Sequence, residues 1–157
     1  MSLIPPAAAS ETARIHDQLR RMYDGPAWHG PALKPLLDGV TGQQASARPL
    51  PNAHNIWELV LHTTTWFRIA RERLSATQNV DPTEAENWPP VTGSWPDALA
   101  GLEREQRALE QAVLSFPQHR LNEPAPATEP QTFYILLHGA IQHVAYHAGQ
   151  IALLKKA

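Results

Sequence analysis

The sequence predicts an all-α protein, a four-helix bundle whose helices are joined by long irregular connections. Apolar residues recur at three- and four-residue steps in four long segments, which is the period of an amphipathic helix. No stretch of five or more residues alternates between apolar and polar positions, as a half-buried strand would. The chain shows no internal repeat of fixed length, so four helices around one core are favoured over a solenoid.

Each of the four segments has its own start and stop signals. Helix one is predicted over about 10–23, because an N-cap serine precedes it and Asp24-Gly25-Pro26 ends it. Helix two covers about 55–75, and helix three covers 94–115 with a proline in its first turn. Helix four covers 131–155 and ends in lysines, as the helix dipole favours. The connections are 26–42, which is expected to hold a turn or two of helix, 76–93 and 116–130.

Length and composition limit the classes of protein that the sequence fits. The 157 residues, 43% of them hydrophobic, predict one domain over 10–157 behind a flexible leader at 1–9. A net charge of −2 provides no field for nucleic acid or anionic lipid, and no apolar run reaches the roughly 18 residues of a membrane span. Cysteine is absent, so any metal must bind nitrogen and oxygen. The leader lacks the pattern of a signal peptide, and we expect a soluble cytoplasmic protein.

Three of the eight histidines are candidate metal ligands. His143 and His147 lie one turn apart on the apolar face of helix four, where two imidazoles can bind one ion. His62 lies midway along helix two, at a similar depth, and is the best candidate for a third ligand. Val144 stands where a zincin has its catalytic glutamate, so protease chemistry of that kind is not expected. A metal is weighed against the simpler alternative, in which each buried histidine is satisfied by a backbone or hydroxyl partner.

Several neighbours of these histidines have roles that the spacing leaves open. Glu58, one turn before His62, is expected either to accept the second ring N–H of His62 or to act as a base beside the metal. Tyr146 and Gln150 flank the helix-four pair and are either hydrogen-bond partners or packing residues. His138 is rotated away from the pair and is excluded from the site.

The basic residues of helix two and the dispersed tryptophans carry weaker signals. Arg68, Arg71 and Arg73 are interpreted as a solvated face with Glu72 in preference to an anion site, although Arg73 is able to reach a pocket rim. Trp88 and the other tryptophans beside loops are interpreted as packing residues, with the lining of an apolar substrate site as the alternative.

Two motifs resemble those of the DinB/YfiT-like family of metal-binding four-helix bundles. One is helix two, Asn55-Ile-Trp-Glu-Leu-Val-Leu-His62-Thr-Thr-Thr-Trp66, and the other is His143-Val-Ala-Tyr-His147-Ala-Gly-Gln150-Ile in helix four. The sequence Ala27-Trp28-His29-Gly30-Pro31 after the first helix also resembles the family. The resemblance covers the chain from about 14 to 154.

The resemblance implies that His62, His143 and His147 are the ligands of a divalent metal ion. Zinc is the first expectation, with nickel, iron and manganese as alternatives. Some members of the family transfer a low-molecular-weight thiol such as bacillithiol, mycothiol or glutathione, and others are described as metal-dependent hydrolases or damage-inducible proteins. The expected function is therefore metal-dependent transfer of a thiol to an electrophile. The alternatives are hydrolysis by metal-bound hydroxide and a non-catalytic metal-binding stress protein.

The expected partners follow from the same resemblance and from the composition. They are a small-molecule substrate, a low-molecular-weight thiol and a second copy of the chain in a homodimer. Nucleic acid and membranes are not expected as partners, because the charge and the hydropathy pattern do not favour them.

Overall fold

The computed structural model describes residues 9–157, and within that range it contains seven α-helices and no β-strand. The predicted all-α class is confirmed. Residues 1–8, which make up most of the predicted leader, lie outside the described residues. The helices are α1 (Glu11–Asp24), α2 (Leu33–Leu37), α3 (Gly42–Ser46), α4 (Ile56–Arg73), α5 (Glu84–Asn87), α6 (Trp95–Ser115) and α7 (Phe133–Leu154).

The four long helices α1, α4, α6 and α7 occupy the four predicted segments, and side-chain caps fix where each begins. Ser10 accepts a hydrogen bond from the Ala13 backbone, and Ser94 caps α6 in the same way. Asn55 forms a reciprocal capping box at the start of α4. Helix α7 begins at Phe133, two residues later than predicted, because Thr132 is its N-cap.

The four long helices pack around one connected apolar core. Helix α4 contacts both α6 and α7, and α1 also contacts α6 and α7. Fully buried side chains from three of these helices meet in the core: Phe67, Leu102, Leu109, Leu137 and Ile151. Each such side chain contributes about 1.5–3 kcal/mol by leaving water. The packing holds α4 beside α7, which places His62 opposite the two histidines of the last helix.

Short helices occupy the connections, and α5 lies over α4. Thr83 and Glu86 cap α5 reciprocally. This capping pair is visible in the sequence, but 76–93 was predicted as a connection without a helix. The Thr65 hydroxyl donates to the Glu86 carbonyl, and Trp66 Nε1–H donates to Asn87 Oδ1 at 2.9 Å. These bonds fix the end of α5 against the middle of α4.

None of the helices in the described range is both long and apolar enough to span a bilayer. The cytoplasmic location and the single domain over 10–157 stay predictions.

Candidate metal centre

The three histidines singled out from the sequence meet at one point between α4 and α7. His143 Nε2 lies 3.0 Å from His62 Nε2 and 2.9 Å from His147 Nε2. All three ligand atoms lie within 4.8 Å of one another. His62 and His147 are buried, and His143 is partly buried. The cluster therefore offers three imidazole nitrogens to one centre.

The outer nitrogens of two rings are held by acceptors, which fixes the direction of their inner lone pairs. His62 Nδ1–H donates to the Asn87 carbonyl at 2.7 Å, and His147 Nδ1–H donates to Gln150 Oε1 at 2.6 Å. With Nδ1 protonated, each neutral ring presents an unprotonated Nε2 to His143. Nitrogens bound to one tetrahedral zinc lie about 3.3 Å apart, only a few tenths of an ångström more than the two spacings that involve His143.

Electrostatics keeps the three rings neutral. Burial and the two neighbouring imidazoles lower the pKa of His143 to about 3. Burial also lowers the pKa of His62 and of His147, although the Asn87 and Gln150 acceptors oppose it. Neutral imidazole is the form that binds metal, so the donor set fits a divalent ion. The simpler alternative accounts for the outer nitrogens of His62 and His147, whereas their Nε2 atoms lie within hydrogen-bond distance of His143 Nε2.

Comparison with protein-family models decides the family of the chain. A model of the DinB superfamily matches residues 27–151, about four-fifths of the sequence. The chain belongs to the DinB superfamily. Comparisons with curated proteins and with solved structures give no significant match.

In this DinB chain, Glu58 does not hold His62, and that part of the sequence prediction is wrong. Its carboxylate accepts from Arg48, from the Asn55 backbone and from His54. Burial alone would raise the pKa of Glu58, but these donors together hold it below its ordinary value. The expected partnership with His62 fails because Glu58 is the third residue of the helix, where the capping box turns its side chain back to the helix start. The alternative role of Glu58 as a base beside a metal stays a prediction.

Asn87 and Trp88 take over the orientation of His62. Besides the hydrogen bond from His62 to the Asn87 carbonyl, the Trp88 ring stacks on the imidazole at 3.9 Å between centroids, with 8° between the planes. The other face of Trp88 stacks on His54 at 3.5 Å. The sequence gives no signal for the Asn87 carbonyl, because every residue has a backbone carbonyl. Trp88 was visible in the sequence as a tryptophan beside a loop, and its role is packing against a candidate ligand.

Of the two residues that flank the pair on α7, one is a hydrogen-bond partner and the other is not. Gln150 accepts from His147, which orients that ring. Tyr146 contacts the edge of the His147 ring at 5.2 Å between centroids but is 65% exposed.

A cleft of about 450 Å³ in this DinB fold opens beside His62 and His143. Trp66 and Phe67 from α4 and Leu136 from α7 form apolar walls. The expectation that Arg73 reaches a pocket rim is confirmed, because Arg73 lines the cleft. It is 3% exposed, so its assignment to a solvated face with Arg68 and Arg71 is wrong. The Val80 carbonyl and the Asp81 carboxylate draw its side chain inward. The cleft is large enough for an organic molecule to lie beside the triad.

Proposed function

We propose that this chain is a divalent-metal-dependent enzyme that transfers a low-molecular-weight thiol to an electrophilic substrate. We further propose that its long helices form a four-helix bundle of the DinB type. His62, His143 and His147 hold the ion. The observation that carries the proposal is the convergence of three neutral Nε2 atoms beside a cleft with apolar walls.

His62, His143 and His147 would hold the divalent ion, and when bound it would lower the pKa of a thiol and so supply a thiolate nucleophile at neutral pH. In the transfer, a sulfur–carbon bond forms, the bond from that carbon to the leaving group breaks, and the leaving group departs with the electron pair. The thiol proton goes to solvent. No protein base is required, which agrees with the engagement of Glu58 by Arg48 and His54.

The side chains and backbone of the protein orient the histidine rings and exclude water from the cleft. The Asn87 carbonyl and Gln150 fix two ligand rings, and Trp88 covers one face of His62. The apolar side chains of Trp66 and Phe67 limit hydration of a molecule in the cleft. These features favour an organic electrophile over a strongly hydrated one.

Zinc is the proposed ion, because neutral imidazole suits zinc and a set of three protein ligands leaves a further position for a thiol. Nickel, iron and manganese also bind imidazole, and metal analysis of the purified protein distinguishes them.

The test is conjugation of 1-chloro-2,4-dinitrobenzene by zinc-loaded protein with glutathione, bacillithiol and mycothiol in turn. We expect chloride release and a coloured thioether with at least one thiol, lost in His143→Ala. The matched control is His138→Ala, on the same helix but outside the triad, which should keep the activity. No conjugation with any thiol would contradict the proposal, and hydrolysis of an ester substrate without thiol would support the hydrolase alternative.

We also propose that the chain forms a homodimer through the outer face of α7. This helix carries no Asp, Glu, Lys or Arg along its 22 residues. Ile135, Tyr146 and Leu153 are all more than half exposed, and the helical period places them on one face. An uncharged face with exposed apolar side chains is typical of a surface that a partner covers.

A further inference from the structure

We propose that Arg73 binds a carboxylate of the substrate, so that the molecule taken into the cleft is a compact organic acid. This inference rests on the proposed function, because it treats the cleft beside the triad as the substrate site. Arg73 lies on the same helix as His62, three turns further on, and both side chains line the same cleft.

Arg73 is a buried guanidinium with part of its donor capacity unused. Its side chain is only 4% exposed. Nε donates to the Val80 carbonyl at 2.8 Å, and Nη2 donates to Asp81 Oδ1 at 2.8 Å. Among residues 9–157, none accepts a hydrogen bond from Nη1. Nη1 is not fully enclosed by protein and Arg73 lines the cleft, so an oxygen atom of a ligand there can accept its hydrogen bond in place of water.

Two carboxylates, Asp81 and Glu129, also line the cleft, and each is either shared with other donors or exposed to solvent. Asp81 is shared, because it also accepts from the backbone and hydroxyl of Thr128. Glu129, the other carboxylate of the cleft, is exposed, so water and salt screen its charge. A hydrogen bond between a guanidinium and a carboxylate is roughly twice as strong as one between neutral groups. A carboxylate therefore meets the need of Nη1 better than an amide or a hydroxyl.

The position of Trp66 gives an upper limit to the length of the acid. The guanidinium carbon of Arg73 lies 5.7 Å from the centroid of the Trp66 ring. That ring lies 5.9 Å from the His143 ring, so at most about 12 Å separates the guanidinium from the imidazole. The indole is held in place by its hydrogen bond to Asn87. An acid whose carboxylate and reacting atom are separated by one ring or a short chain reaches both ends of the cleft.

Binding of matched ligands tests this without catalysis. Calorimetric titrations of the zinc-loaded protein would compare 3-phenylpropanoate with 3-phenylpropanamide and 3-phenylpropanol, which share a ring and a chain length. We expect the acid to bind at least tenfold more tightly than either neutral analogue. In Arg73→Gln the acid should weaken at least tenfold while the amide is unchanged. The matched control Arg68→Gln, whose arginine pairs with Glu72 on the same helix, should bind like the parent.

Two further variants separate the alternatives. Arg73→Lys preserves a positive charge for Asp81 but has no Nη1, so it should weaken the acid several-fold even if Arg73→Gln fails to fold. His143→Ala should retain the preference for the acid, because the carboxylate is held at the other end of the cleft. Equal binding of acid and amide, or a preference that survives in Arg73→Gln and Arg73→Lys, would overturn the inference. A preference lost in His143→Ala alone would also overturn it, by placing the carboxylate on the ion. The titrations contain no thiol, so they test acid binding alone. If the protein binds the acid but fails in the conjugation assay, only the proposed transferase activity is contradicted.

Discussion

Acidification should destabilise the metal-free protein through His143. In an unfolded chain this imidazole has its ordinary pKa of 6.5, and in the folded protein burial lowers the pKa to about 3. Between these two pH values the unfolded state binds a proton that the native state does not, so stability falls as the pH falls. Between pH 7.5 and pH 5, His143 alone should cost about 2 kcal/mol of the free energy of unfolding.

Urea denaturation in the presence of a chelator measures this cost. The free energy of unfolding of the parent and of His143→Gln would be compared at half-unit steps from pH 7.5 to pH 5. The variant should lose about 2 kcal/mol of the pH dependence. His138→Gln, which changes a histidine of the same helix, should retain it. His62 and His147 shift in the same direction, so the parent should show more pH dependence than one histidine supplies.

Equal pH dependence in the parent and in His143→Gln would refute the reasoning. It would mean that the folded cluster takes up a proton readily, shared between the Nε2 atoms that lie 2.9 and 3.0 Å apart. The triad would then be satisfied by a proton in the absence of metal. The triad would then no longer be a set of neutral nitrogens whose lone pairs need a bound cation.

Three further predictions concern the supports of the site, its outer surface and the core. Gln150→Leu removes the acceptor that orients His147 and should weaken zinc binding 10- to 100-fold in competition with a chromophoric chelator; unchanged affinity would show that the ring needs no such support. In sedimentation velocity the parent should sediment as the proposed dimer and Tyr146→Glu as a monomer; a monomeric parent would contradict the dimer, and a dimeric Tyr146→Glu would place the interface elsewhere. Leu102→Ala should destabilise the protein by about 2–5 kcal/mol in urea, and a loss as small as that of the exposed Leu114→Ala would contradict its place in the core.

The sequence carries the parts of the site that depend on helical geometry. The step from His143 to His147 places both imidazoles on one face whatever the helix packs against. The prediction that His62 lies beside this pair required only that two amphipathic helices pack with their apolar faces together. The apolar period of each helix predicts such packing. The helix bounds were predictable because Ser10, Asn55 and Ser94 are capping residues with local signals.

What could not be predicted depends on contacts between distant parts of the chain. The Asn87 carbonyl that orients His62 is a backbone group, and any residue type supplies one. Arg73 appeared as one of several basic residues, and its burial becomes visible only when Val80 and Asp81 are placed beside it. The wrong prediction that Glu58 accepts from His62 has a different cause, because the capping box that engages Glu58 can be recognised in the sequence.

One segment, 80–88, supports both ends of the cleft. At one end, Asn87 and Trp88 fix the ring of His62. At the other end, Val80 and Asp81 hold Arg73. The segment is itself tied down, because the Val80 backbone N–H donates to the Pro126 carbonyl and Asp81 accepts from Thr128. The separation of the histidine triad from Arg73 therefore depends on this connection as well as on α4. A change in the length of the connection should alter the fit of an acid while the triad on α4 and α7 persists.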